Sequence, residues 1–318
     1  MGKSDMSAAV QSVPSFVPTE SQLVVAYSVC RSITRSAAKN FYYAFLLLPG
    51  PKRQALCAVY AFMRRCDDIT DDVTFPVHER REKLAAWLDA FHHAQAGLPT
   101  DEPVLLALTD TQRRFNVPPH LLDQLAYGTE SDVDEDDQLL CENDAPILTV
   151  RFRTFDELRR YCYQVASVVG LVCIRIFGYR DAAAEPLAER LGLAFQLTNI
   201  IRDVKEDAAM GRVYFPGEDL EKFGIAAGEL RAITDPARLR ALLAMEADRA
   251  REFYGAVDGL IPLIDEDSQP ALWVLATIYR RLLEKIALRQ YDVLGGKISL
   301  TMREKLGILG RGFMKRLS

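Results

Sequence analysis

The chain has 318 residues, 49% of them hydrophobic and 26% charged, an ordinary globular composition long enough to bury a deep core around a cavity. Its formal net charge of -5 argues against nucleic acid as a partner. Six cysteines (Cys30, Cys57, Cys66, Cys141, Cys162, Cys173) form no C-x-x-C pair, and four histidines (His78, His92, His93, His120) no H-E-x-x-H, which disfavours a zinc site or disulfide framework and suits a reducing, cytoplasmic setting.

Residues 1–19 mix Ser, Val, Pro and Ala with Lys3 and Asp5 and lack the apolar run of a signal peptide, so a disordered lead-in is expected there. Apolar residues at three- and four-residue spacing then predict helices over 20–48, 52–73, 77–95, 101–114, 119–128, 154–178, 184–209, 236–259 and 268–294. Pro49-Gly50-Pro51, Pro76 and Pro118-Pro119 punctuate them, and Thr154 with Glu157 reads as a capping box. Charge or proline interrupts every apolar stretch short of the roughly 18 residues of a membrane span, so none is expected. Strand alternation and hairpin turns are nearly absent. The fold class is therefore all-α, with one domain over 20–306 and a short basic tail over 307–318. Two segments break the texture: the acidic stretch 129–146 and a Gly- and Pro-punctuated loop over 210–228.

Two acidic motifs carry the chemistry. In Arg64-Arg65-Cys66-Asp67-Asp68-Ile69-Thr70-Asp71-Asp72, Asp67 and Asp71 project from one helix face, where like charges repel unless a cation lies between them. Alone, such a motif is as well explained by a solvated helix face. It ends the apolar run Ala55–Phe62, however, which tilts the reading toward function. In the second motif, Gln196 to Asp207, residues Asn199, Asp203 and Asp207 fall at four-residue steps on a helix otherwise apolar at Leu191, Leu193, Leu197, Ile200, Ile201 and Val204, with Gln196 beside the stripe. A polar ladder on a buried helix is costly unless it binds something.

Two such pairs in one helical domain are suited to clamping magnesium ions against a diphosphate, because magnesium takes few carboxylates, several waters and substrate phosphate oxygens. Arg64, Arg202, Arg212, Lys39 and Lys205 are the nearby cations, fit either to grip the diphosphate or to pair with the aspartates. A third element, Tyr161-Cys162-Tyr163 to Gly170, places small residues at Ala166 and Gly170, which leaves open tight helix packing or room for a long apolar ligand. With Phe41 and Phe45 as a facing wall, an aromatic-lined cavity follows, and aromatic faces attract cations.

These motifs resemble those of the squalene/phytoene synthases: Asn40-Phe41-Tyr42-Tyr43-Ala44-Phe45 with Leu48-Pro49, the run Arg64 to Asp71, Tyr161-Cys162-Tyr163 with Gly170, and Gln196 to Asp207 followed by Gly211-Arg212-Val213-Tyr214-Phe215-Pro216. The likeness covers roughly Leu23 to Lys305. It implies an isoprenoid-synthase helical fold and head-to-head (1′–1) condensation of two allylic diphosphates through a cyclopropylcarbinyl diphosphate to a C30 or C40 hydrocarbon. It implies Mg2+, with Mn2+ as the alternative ion, held by Asp67, Asp71, Asn199, Asp203 and Asp207. Tyr161 matches a tyrosine near the diphosphates, and Arg64 and Arg202 match basic positions. NADPH is called for only if a reductive second half-reaction is performed.

Three departures stand out: the acidic stretch 129–146 is longer than usual, Lys297 stands where many relatives carry arginine, and the hydrophobic C-terminal anchor of eukaryotic squalene synthases is missing. The tail from Thr301 suits peripheral contact with anionic lipid at the inner membrane face, or a solvated end helix. The segment Asn40–Pro49 looks most like bacterial hopanoid-pathway enzymes, so farnesyl diphosphate is the expected substrate and presqualene diphosphate, squalene or dehydrosqualene the product. Phytoene synthesis from geranylgeranyl diphosphate is the alternative, and a non-catalytic lipid-binding or assembly relative a further one. A head-to-tail synthase or terpene cyclase would share the aspartates but not the Q-L-T-N-I-I-R-D context. Other isoprenoid-pathway enzymes are expected partners; oligomeric state stays open.

Overall fold

The computed structural model describes residues 16–38, 41–72, 74–136, 141–142, 145–146, 148–231 and 235–317, with side chains of 129–136, 141–142, 145–146 and 316–317 outside the description. Lys39 and Asn40 lie outside the described residues, as do 1–15 of the expected lead-in. A capping box opens α1 (Glu20–Ala37): Thr19 Oγ1 accepts from the Gln22 amide at 3.3 Å, and Gln22 Oε1 accepts from the Thr19 amide at 2.8 Å. The helix predicted over 20–48 is not continuous. It stops at Ala37, and α2 (Phe41–Phe45) is separate.

Pro51, in the first turn of α3 (Gly50–Thr70), suits a helix start, where its missing N–H costs nothing. Then come α4 (Val77–Gln95), α5 (Pro103–Phe115), closed by Asn116 in the left-handed region, and α6 (Pro119–Asp136), which runs past its predicted end at residue 128. Short strands β1 (Cys141–Glu142) and β2 (Ala145–Pro146) pair antiparallel. Strand β3 (Thr149–Val150) pairs in parallel with β4 (Arg212–Val213), tying the chain before α7 (Phe155–Cys162) to the loop after the second acidic motif.

A π-helical turn (Tyr163–Ser167) joins α7 to α8 (Val168–Phe177). The second acidic helix is also broken: α9 (Ala184–Arg202) ends at Asp203, and α10 (Val204–Ala209) resumes at an offset. The remainder is α11 (Gly217–Lys222), α12 (Pro236–Tyr254), α13 (Ala256–Leu260), α14 (Gln269–Leu288) and α15 (Met302–Leu317). Helix α15 runs unbroken through residue 306, where the sequence reading separates domain from tail, and packs on α14.

The core is continuous, with α1 on α3 and α5, and α9 at the centre against α8, α12, α13, α14 and the π turn. The described cysteines are free thiols, and Cys30, Cys57, Cys66 and Cys162 are buried, as small hydrophobes. The run Phe155–Phe177 is 23 residues long and apolar enough by composition to cross a membrane, against the expectation of no such segment. Half of that stretch is buried in the fold, against α9, as a core helix is.

Two glycines set that central contact. A methyl group on Gly192 would sit 2.7 Å from Ser167 Cα and 2.8 Å from the Ala166 carbonyl oxygen, and one on Gly170 would sit 3.0 Å from the Ala188 carbonyl oxygen. Backbone cannot step aside as a side-chain end can, so Gly192→Ala should cost about 1–3 kcal/mol and lower Tm in thermal unfolding. Gly228→Ala, with nothing within 4 Å, is the control expected to leave Tm nearly unchanged. Equal Tm values for the two variants would refute the close-packing account.

Candidate active site

Below the acidic motifs the helices line a space that opens to solvent, about 1120 Å³ with its mouth counted. Its wall is overwhelmingly apolar. All five residues expected to line it do so: Phe41, Phe45, Ala166, Gly170 and Gln196. Gly170 serves both of the roles left open for it, lining the space and letting α8 approach α9. The π turn contributes Val165 and Ala166, and its wider coil re-aims side chains within an otherwise regular wall.

The two acidic motifs meet at one end of this space. Asp67 and Arg64 line it from α3, and Asn199 lines it from α9. Asp71 caps α3 one turn beyond Asp67, its amide donating to the Asp67 carbonyl at 2.8 Å. The neighbouring pair looks elsewhere: Asp68 holds Arg64 at 2.6 Å, and Asp72 accepts from the Thr74 hydroxyl and amide.

On the α9 side the geometry is tighter. Asn199 Oδ1 is buried without a hydrogen-bond partner, while its Nδ2 reaches Gln196 Oε1 at 3.4 Å and its side chain also meets the Tyr279 hydroxyl. A buried acceptor left unpaired costs about 1–3 kcal/mol, which argues for a ligand. Arg202 donates to both Asp203 oxygens, through Nε at 2.8 Å and through Nη2, and Lys297 Nζ stands 3.1 Å from the same carboxylate and 3.6 Å from Glu206. Burial alone would raise the Asp203 pKa, but the bonds and charges of Arg202 and Lys297 hold it below the usual range. Asp207 has no such relief. Burial and the neighbouring Asp203 push it up to about 7, with Arg212 opposing from nearby.

Among the described residues no three Asp, Glu, His or Cys side chains gather into a ready metal cluster. Magnesium does not need one, since it binds through one or two carboxylates with waters and phosphate oxygens. The orphaned Asn199 oxygen and the strained Asp203/Asp207 pair fit such an ion, with Asp67 and Asp71 opposite.

Tyr161 is buried beside the space rather than among the residues that line it, stacked on Tyr214 (centroids 5.5 Å) and tilted against Phe152 (5.2 Å), with the Arg151 guanidinium 4.3 Å above its ring. Its role here is to pin the β3–β4 connection against α7. Four lining aromatics were missed in the sequence: Tyr60, Phe177, Phe195 and Tyr279, the last two stacked at 4.3 Å. Helical spacing marks such residues as core, and only the fold separates core from cavity.

The Asp207 carboxyl carries a signed pH dependence. With the folded value raised from 3.8 to about 7, its contribution to stability is full below the unfolded value and lost as pH rises through about 7. Metal-free Asp207→Asn should therefore lose less Tm than wild type across that window. Mg2+ should raise the wild-type Tm more above pH 7 than below it, since only the ionised carboxylate binds the ion. A Mg2+ effect independent of pH would exclude Asp207 from the metal site.

Comparison with known proteins agrees with this geometry. The Squalene/phytoene synthase family profile matches residues 34–304. The phytoene synthase of Mycobacterium tuberculosis is 39% identical over 284 residues, covering 88% of each chain. The presqualene diphosphate synthase of Rhodopseudomonas palustris is 32% identical over 272 residues, 85% of this chain and 91% of the other. A dehydrosqualene synthase solved with a ligand superposes with a TM-score of 0.80 at 31% identity, covering 92% of this chain and 97% of that one. The isoprenoid-synthase helical fold is thus shared over nearly the whole length, and the chain belongs to the squalene/phytoene synthase family of prenyl transferases.

Proposed function

We propose that this protein condenses two molecules of geranylgeranyl diphosphate head to head into the C40 hydrocarbon phytoene, with Mg2+ and without NADPH. The observation that carries the reading is the 39% identity to a phytoene synthase across 88% of both chains, against 32% for a presqualene diphosphate synthase. That weight favours the geranylgeranyl alternative over the farnesyl substrate read first from Asn40–Pro49. An apolar cavity with an aromatic wall is consistent with prenyl chains. The farnesyl reading keeps one observation of its own, the fold match to a dehydrosqualene synthase.

In this reading Asp67, Asp71, Asn199, Asp203 and Asp207 hold the divalent ions, which when bound neutralise diphosphate oxygens and assist departure of the leaving group. Arg64, Arg202 and Arg212 supply fixed positive charge beside the same oxygens. Lys39, outside the described residues, keeps the sequence-based proposal of a diphosphate contact. Below them Phe41, Phe45, Tyr60, Phe195 and Tyr279 exclude water and turn π faces toward a cationic chain. No side-chain base is assigned; the released diphosphate accepts the proton.

Asp67→Ala and Asp203→Ala should each lower kcat by about a hundredfold or more, the equivalent of several kcal/mol of lost charge stabilisation. Asn199→Leu should do likewise while changing Tm little, since its oxygen satisfies nothing within the protein. Unchanged steady-state turnover in these variants would refute the clamp. The substrate is tested by offering purified protein and Mg2+ each diphosphate separately, with and without NADPH. Phytoene from geranylgeranyl diphosphate is the expected product. Presqualene diphosphate or squalene from the farnesyl substrate, with the longer one untouched, would restore the farnesyl reading, and a head-to-tail product would overturn both.

A further inference from the structure

We propose that the outer face of α15 is a docking surface for an anionic lipid bilayer. The helix is fixed to the body along its inner side. Ile308 and Gly312 are buried, and a methyl group on Gly312 would lie 2.3 Å from Val274 Cγ2 and 2.9 Å from Leu47 Cδ1, so α15 crosses α14 at near contact. Lys285 holds Glu304 at 2.8 Å, and the Tyr43 hydroxyl meets Met302 Sδ at 3.1 Å. With that side engaged, the opposite side has one fixed orientation.

What it presents to solvent is rich in large apolar side chains. Leu306, Phe313 and Met314 are 51%, 51% and 62% exposed, and Met302, held through its sulfur by Tyr43, is 56% exposed at the edge of the same face. Residues 302, 306 and 313 share one helix face. Leu288, at the end of the adjacent α14, is 82% exposed. Arg303 and Arg311 are exposed on the outward half of the helix. Lys305 and Lys315 flank its inner edges, with ammonium groups 6.0 Å from the Tyr43 ring and 5.2 Å from the Trp273 ring. Glu304 is the one acid between 302 and 315, and Lys285 neutralises it.

An apolar stripe rimmed by cations on a fixed helix matches an interface where headgroups are anionic and acyl chains lie just beneath. The chain's net charge of -5 is repelled by an anionic surface, which favours approach through a face that carries cations. A protein partner would need acidic groups at the rim and a complementary groove for the stripe; the bilayer supplies both without either. The placement also suits the chemistry. Helix α15 rests on α2, whose Phe41 and Phe45 line the cavity, so a docked molecule holds that cavity wall against the lipid. This last point rests on the proposed hydrocarbon product; the docking itself does not.

The test is co-sedimentation of the full chain, without substrate, with phosphatidylcholine vesicles that contain or lack phosphatidylglycerol. Wild type should sediment with the anionic vesicles, and salt should weaken the association. Leu306→Ser/Phe313→Ser and Arg303→Glu/Arg311→Glu should each reduce partitioning at least tenfold, while Tm and turnover of detergent-dispersed substrate stay at wild-type values. Absence of wild-type binding, equal binding by the variants, or variants that only turn a dimer into monomers would each overturn the proposal. Failure of turnover with vesicle binding intact would instead strike the proposed reaction and leave the docking surface standing.

Discussion

Two carboxylates one turn apart, Asp203 and Asp207, are held in a half-buried setting with too little protein charge to ionise both comfortably. Arg202 and Lys297 satisfy Asp203, and that success worsens matters for Asp207, whose carboxyl burial and the neighbouring Asp203 push up to about 7. The break between α9 and α10 at Asp203 belongs to the same arrangement. An unbroken helix would stack both side chains in a plain i, i+4 row, whereas the break gives Asp203 non-helical dihedrals and brings Arg202 onto it in a two-point contact. The fold therefore stores an electrostatic demand for cations beside an unpaired amide oxygen, at the polar end of an apolar space.

That space exists because backbone packs tightly elsewhere. Gly192 lets α9 lie against the π turn at a distance no side chain would permit, and Gly170 repeats the contact one step along. Close approach on one flank leaves volume on the other, since helices bearing small residues at their crossing fill less space around it. The π turn adds a coil wider than an α-helix in the same place, pointing Val165 and Ala166 into the space. Aromatic side chains from α2, α3, α9 and α14 close the opposite wall.

The all-α class and the polar stripe were legible because period and charge report directly on helix faces. Asp67, Asn199 and Gln196 were placed by that means, whereas Ala166 and Gly170 were singled out by their small size and Phe41 and Phe45 by their aromatic run. The breaks were not. No Gly or Pro in Asn199–Asp207 signals the end of a helix at Asp203, and one of the contacts that Asp203 makes there, Lys297, is distant in sequence. The surroundings of Tyr161 were not legible either: the β3–β4 pairing brings Tyr214, Phe152 and Arg151 against its ring. Tyr60, Phe195 and Tyr279 carry core-like spacing, and a cavity wall has the periodicity of a core.

The small number of groups in the proposed metal site bears on how the proposed reaction selects its substrate. A site with three or more converging carboxylates would hold an ion tightly by itself and leave few coordination positions for anything else. Here the described groups on the α9 side amount to two carboxylates and one amide oxygen, with Arg202 and Lys297 already competing for one of the carboxylates. Such a set binds a divalent ion weakly until further oxygens complete the shell, and diphosphate is a rich source of them. The ion and the diphosphate then bind with mutual reinforcement, and a molecule lacking the diphosphate gains little from either. Head-group recognition is in this way a property of protein and ligand jointly, while chain-length recognition is left to the apolar wall, where each methylene contributes only a modest increment.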